Sequence, residues 1–298
     1  MGEDVSRLLE SKSVATRIPH VSIDSTASKQ LQNQLADYYH RSVLDTNASF
    51  VCQSAVACQA SVSLPSYFAA GQLSYVGDAY ATDVDGRPFR ILVVPMQIGQ
   101  GQRGITMTIR AEQVLVRVNG DRNPHMWGVI QALRVLHGLA PGTDHDGEIL
   151  RTATGDTHLY RAFAMVNACL CSRASTPIVP GSASTNLPRK GNPTTVMYEN
   201  CSSHLAQAIA ILRPTIVQTQ GRLKNPTARS PEWVLRKLAD QIDWFSQEVA
   251  RVTIAGHRFV LCALRHPTRN WWSPSLPYAK ETALPALRLA RRLVLEGQ

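Results

Sequence analysis

Four short apolar runs constrain this chain more than anything else in it. They are Ile91 to Val94 in "RILVVPMQIG", roughly Ala162 to Cys169 in "RAFAMVNACLC", "PTIVQTQG", and "HRFVLCALRHP". An uninterrupted apolar run bounded by turn signals reads as a strand buried on both faces, which is the situation in a parallel sheet. Helical patterns lie between and after the runs. "HMWGVIQALRVLHGLAPG" ends in a Gly-Pro stop, and "ENCSSHLAQAIAIL" sets Leu205, Ile209 and Leu212 on one face. "SPEWVLRKLADQIDWFSQEVA" reads as one helix or two, and "AKETALPALRLARRLVLEG" as a basic last helix. Strands alternating with helices predict an α/β chain, here a three-layer α/β/α sandwich around a central, mostly parallel four-stranded sheet. Residues 1–45 are polar and helical and read as an N-terminal extension, with the main domain over 46–298. Sites in such folds lie at the carboxyl ends of the strands. "PMQIG", "NACLC", "TQG" and "HPTRNWW" occupy those ends.

Charge and cysteine usage narrow the class. Lys plus Arg number 31 against 22 Asp plus Glu, a net charge of +9, and the pI is about 9.5. That balance favours a polyanionic partner. Arg outnumbers Lys, and Arg is the better ligand for phosphates and base edges. No window reaches the length of a membrane span, and "MGEDVSRLLESKS" has no signal-peptide core, so a soluble cytoplasmic protein is expected. In that compartment disulfides are disfavoured, and the six cysteines point to metal or redox chemistry. Cys262, inside "RFVLCALR", reads as core. Neither G-x-G-x-x-G nor G-x-x-x-x-G-K-[ST] occurs, which argues against a nucleotide-binding enzyme.

Four pieces in order, "LVVPMQIG", "AMVNACLC", "NCSSHLAQAIAILRPTIVQTQG" and "HPTRNWWSP", resemble the motifs of the uracil-DNA glycosylase superfamily over roughly Cys52 to Tyr278. The resemblance implies a DNA glycosylase acting as a monomer on duplex or single-stranded DNA, without a membrane partner. It extends to the iron–sulfur branch. There Cys52, Cys58, Cys171 and Cys201 would hold a structural 4Fe–4S cluster, with Cys169 as the alternative to Cys171. The C-x5-C spacing of the first pair and the long 171–201 loop depart from that branch.

By the same resemblance, His266 stabilises the leaving base and Asn167 reads the flipped base. The position of the family's water-activating residue is Gln97, which orients a water but accepts no proton; Asp78, Asp83 and Asp85 are the alternative carboxylates. Met96 lies in the same loop, and Trp127 or Phe89 would stack on the base. Arg265, Arg269, Arg103, Trp271 and Trp272 would contact DNA, as would Arg110, Lys280, Arg288, Arg291 and Arg292 through phosphates. The altered "PMQIG" loop leaves three readings: a repair glycosylase for uracil, a defence glycosylase excising a hypermodified cytosine from phage DNA, and a catalytically inactive DNA-binding module.

Overall fold

The structure, a computed structural model, describes residues 20–97, 103–120, 122–174, 191–222, 229–267 and 273–297. The chain is α/β, built on a mixed seven-stranded sheet. Its strands are β1 (Tyr75–Val76), β2 (Ile91–Val94), β3 (Phe163–Met165), β4 (Ile216–Gln220), β5 (Gln241–Trp244), β6 (Val249–Ile254) and β7 (His257–Leu264). The four expected strands lie side by side, in the order β7-β4-β2-β3, and all run parallel. Ile216 sits opposite both Ile91 and Val260, and Leu92 opposite Ala164. Three antiparallel strands enlarge the sheet beyond the expected four: β1 on β3, and the hairpin β5-β6 on β7.

The hairpin corrects the helical reading of the segment after Ser230. Helix stops at Leu238, after Ser230 has capped it by accepting the Trp233 N–H at 3.1 Å. Beyond it, buried Val249, Ala250, Val252 and Ile254 mostly alternate with less buried positions, a period of two that a helix does not show. Ala255 and Gly256, with φ of 48° and 72°, form the turn into β7. Two consecutive left-handed residues match the right-handed twist of a hairpin, and Gly256 takes that conformation without steric cost.

The described residues form seven α-helices: α1 (Ser25–Ser42), α2 (Ala55–Ala60), α3 (Met107–Leu115), α4 (Pro124–Leu136), α5 (Thr195–Leu212), α6 (Pro231–Leu238) and α7 (Leu284–Leu295). Strand alternation sorts the core into two clusters. Ile91, Val93, Phe163, Met165 and Ile216 pack with α4 and α7, through Val129, Leu133 and Leu287. Leu92, Val94, Ala164 and Val217 pack with α5 and α1, through Leu205, Ile209, Leu35 and Tyr39. So α1 is part of the body and not an extension. Leu35 and Tyr39 are fully buried, and the Tyr39 hydroxyl lies 2.6 Å from Ser74 Oγ. Leu44 bridges to Phe50, so the chain is continuous with the core across position 45. Among the described residues no helix is long and apolar enough to cross a membrane.

His137, which caps the end of α4, lies against the Phe89 ring with centroids 5.4 Å apart, and neither ring nitrogen has a hydrogen-bond partner. Burial, helped by the Arg291 charge, pushes its pKa down to about 3. The folded chain therefore excludes a proton that the unfolded chain binds below about pH 6.5. Stability attributable to His137 is complete above that value and is lost as pH falls towards 3, by up to about 1.4 kcal/mol per unit. His137→Leu is expected to flatten the fall in urea midpoint between pH 7 and pH 5. It should also raise the midpoint at pH 7, because it replaces two unpaired buried nitrogens with apolar surface.

Candidate active site and cysteine cluster

The carboxyl ends of the parallel strands, on the α4 side, converge on one cleft. Asn167 follows β3. The Val166 N–H donates to Val93 and the Ala168 N–H to Pro95, so the extended ladder runs on past the strand. Asn167 therefore shares the face of Phe163 and Met165, and it is 2% exposed. Gln220 ends β4 on the same face, two strand spacings away, or roughly 10 Å. Pro124 starts α4 after the Asn123 cap, and the next residue, His125, sets its Nδ1 3.2 Å from Gln220 Oε1. An amide oxygen only accepts, so in this contact Nδ1 is the donor. His266, just past β7, brings its ring centroid to 5.6 Å from that of His125. Behind the histidines is a cavity of about 220 Å³, lined by Pro124, Trp127, Gln131, Thr143, Pro267 and Pro274 among others. Trp127 is held from its other side by Arg122, 5.3 Å from the ring centroid.

Near the strand ends, Asn167 Oδ1 and Gln220 Nε2 are buried and have no partner, as does Gln218 Oε1 deeper in the same strand as Gln220. Buried polar atoms are nearly always paired, so such exceptions call for an explanation, a bound ligand among them. The Met96 backbone accepts from Cys169, and its side chain lies against Gly221. Gly221 has φ +133°, and a Cβ there would stand 3.1 Å from Met96 Cγ and Sδ. Gly221→Ala is expected to cost about 1–3 kcal/mol in a thermal or urea melt, and to displace Met96.

Asn167 and Met96 follow their strands at the carboxyl ends, and His266, His125, Gln220 and the Trp127-lined cavity are linked to one another there. The other expected residues lie elsewhere. Phe89 precedes β2 at its amino end and is buried on His137, so it cannot face a base in the cleft. Asp78, Asp83 and Asp85 are also at the amino end: β1 is antiparallel to β3, and Asp78 follows it, paired with Arg161. Asp83 faces Ser22 across a strand pair, and Asp85 accepts from the His20 N–H. Gln97 does lie in the strand-end loop, but its amide is committed. Nε2 donates to the Arg173 and Gly191 carbonyls, and Oε1 accepts from Arg173 N. One lone pair is left to meet a water, and no donor. Arg265 stacks on Tyr278 at 4.8 Å, and Arg103 is exposed. Arg110 is half-buried, and its desolvation lowers its pKa to about 10. Arg291 packs beneath Gly138, away from the cleft. Arg269, Trp271 and Trp272 lie outside the described residues.

On the opposite face of the sheet, five cysteines from three stretches of chain meet. Cys52 precedes α2, Cys58 is in it, Cys169 and Cys171 follow β3, and Cys201 is in α5. Burial pushes the Cys171 thiol up, and the nearby Cys201, Cys58 and Cys52 push it further. Burial and the same neighbours raise Cys58 to about 11, although Asn200 Nδ2 donates to its sulfur at 3.4 Å. Cys201 is held below the usual thiol range by the Cys169 thiol, and further by the N–H groups of Leu170 and Cys171, in spite of its burial. The Gly71 N–H points at Cys171. His204 Nε2 lies 3.6 Å from Cys52 Sγ, while its Nδ1 is 2.7 Å from the Tyr38 hydroxyl. Each of the four sulfurs at 52, 58, 171 and 201 therefore has a nitrogen beside it. Cys262 sits apart, fully buried in the other core cluster.

A second cluster, His145, Glu148 and His158, has metal-like spacing. Its chemistry is that of an ion pair. Both Glu148 oxygens bind Arg122, and His158 Nε2 reaches one of them at 3.0 Å. Burial raises the Glu148 pKa, but these bonds more than offset it and hold the carboxyl at about 2. A guanidinium bound to the same carboxylate opposes a cation there. The network instead braces Arg122 against Trp127. No protein-family model and no curated protein matches the chain.

Proposed function

We propose that the chain is a DNA glycosylase that hydrolyses the N-glycosidic bond of a flipped uracil-like or modified pyrimidine base and leaves an abasic site. It would act as a cytoplasmic monomer, with the four parallel strands at the centre of a three-layer α/β/α sandwich. The observation that carries this reading lies in the cleft. Asn167 Oδ1 and Gln220 Nε2 are a buried acceptor and a buried donor without partners near the strand ends, and a carboxamide such as that of Asn167 offers a pyrimidine edge both kinds of bond. Trp127 supplies the ring on which the base stacks.

In the reaction the bond from C1′ to the base nitrogen breaks and its electron pair leaves with the base. Water oxygen bonds to C1′ and gives up a proton. His266 stabilises the negative charge gathering on the base, as a donor in an oxyanion site does. His125 takes the role that the sequence suggested for Gln97: Nε2 of its neutral ring receives the proton of the water.

The cysteines fit a 4Fe–4S cluster on Cys52, Cys58, Cys171 and Cys201. Four neighbouring sulfurs, each with a nitrogen beside it, suit a site where sulfur carries negative charge. Bound there, the cluster would tie the 52–58 segment, the loop after β3 and α5 together. Hydrolysis needs no electron from it.

The test is abasic-site formation on DNAs containing uracil, hypoxanthine, 5-hydroxymethylcytosine or its glucosylated form. Cleavage of uracil indicates repair. Cleavage of a modified cytosine alone indicates a defence enzyme. The inactive binding module is the second reading, favoured by the engaged amide of Gln97 and the distant Asp78, Asp83 and Asp85. DNA binding without cleavage of any substrate would select it.

A further inference from the structure

The β5 edge of the sheet carries a surface that the cleft does not use. Trp244 and Phe245, at the end of β5 and in the turn after it, are 37% and 40% exposed. An edge strand ordinarily avoids large exposed rings, because they invite aggregation. Each ring is paired with a guanidinium: Arg236 lies 5.1 Å from the Trp244 centroid and Arg251 lies 4.9 Å from that of Phe245. Nearby on α6, Trp233 has Arg229 at 4.3 Å and Lys237 at 5.3 Å. Ring–cation pairs of this kind occur about once per 70–80 residues. Here four fall between residues 229 and 251.

Most acids in this region are engaged. Glu232 lies 3.4 Å from Arg222 and 3.6 Å from Arg236, Glu248 is 3.1 Å from Arg222, Glu199 is 3.7 Å from Lys237, and Asp243 faces Arg251 across the hairpin, while Asp240 is exposed. Phosphates would therefore replace Glu232 and Glu199 at the partly exposed Arg236 and Lys237. The surface is also continuous with the cleft. Val249 pairs with Cys262, so the Trp244–Phe245 turn lies at the His266 end of the sheet. At the start of α6, Pro231 lies beside Gly221, and Gly221 touches Met96.

The geometry points to a binding surface for single-stranded DNA that leads into the cleft, with bases stacking on Trp233, Trp244 and Phe245 and phosphates meeting Arg229, Arg236, Lys237 and Arg251. This deepens the glycosylase reading, on which it rests, by naming the form of the substrate. Bases in a duplex are stacked on one another and offer no face to such rings, whereas a single strand offers each of them. The net charge of +9 supplies the long-range attraction.

The test is fluorescence anisotropy with a labelled oligothymidylate and with a duplex of equal length, using the intact purified chain. The wild type should prefer the single strand, with affinity falling steeply as salt rises. Trp244→Thr with Phe245→Thr, residues compatible with a strand, should weaken single-strand binding at least fivefold per ring and leave duplex binding and the melting temperature unchanged. Arg236→Gln with Lys237→Gln should weaken binding less at high salt than at low. Single-strand binding unchanged in both variants would overturn the surface and leave the glycosylase reading standing. A wild type that binds neither DNA would overturn both. Self-association of the wild type in sedimentation, abolished in the ring variant, would assign the rings to a contact between copies and overturn the proposal.

Discussion

Cys201→Ala is expected to strip iron and sulfide from the anaerobically purified chain and to lower its melting temperature well beyond the effect of a small cavity. Cys201 is central to the cysteine group, receiving the Cys169 thiol and the N–H groups of Leu170 and Cys171. Losing one sulfur from a packed core costs about 1 kcal/mol or a little more. Losing a metal group that joins three segments costs several times that, because binding free energy at such a site is folding free energy. Size therefore separates the two causes. Cys171→Ala should match Cys201→Ala in iron content and in the melt. Cys262→Ala should show the cavity cost with iron retained, since its thiol lies in the other cluster. Cys169→Ala should also keep the iron. The cluster proposal fails outright if the wild type, prepared without oxygen, has neither iron nor visible charge-transfer absorption.

The second large effect is expected in catalysis. On whichever base proves to be the substrate, His266→Ala should lower kcat about 10²–10³-fold, the usual cost of removing one donor from a site that stabilises a developing anion. His125→Ala should lower it about 10²–10⁴-fold, as for loss of a general base. Gln97→Ala is the contrast. Its amide holds the backbone at Arg173 and Gly191, so it should lower the melting temperature more than kcat. Equal loss of kcat in Gln97→Ala and His125→Ala would return the water to Gln97 and remove His125 from the mechanism.

How much of this was legible in the chain depended on the range of the signal. The four parallel strands declared themselves because burial on both faces leaves no polar residue in "ILVV" or "FVLCAL". The β5-β6 hairpin was hidden because "WVLRKLADQIDWFSQEVA" carries good helix formers, and pairing with β7 overrode local preference. The ends of the strands were equally plain, and the structure sets Asn167 and His266 just past β3 and β7, where the sequence put them. Phe89 was misplaced because position along the chain does not say at which end of a strand a residue sits. His125 had a local signal, a histidine in the first turn of a helix after Asn-Pro, but its partner Gln220 is far away in sequence, and only the sheet joins them. The cysteines were visible as a set. The nitrogens of Asn200 and His204 that face them had only a helix spacing around Cys201 to announce them.

Gln97 has one more consequence, in how this architecture tolerates change. Its amide clasps Arg173 and Gly191, and the Gly191 N–H donates to the Arg173 carbonyl at 3.0 Å. The two ends of the intervening Ser-, Pro- and Gly-rich stretch are thereby buckled together beside the strand-end loop. Closing a loop costs only slowly more as it lengthens. The clasp therefore fixes the separation of positions 173 and 191, and with it the spacing of the strand-end loop and α5, independently of the residues between them.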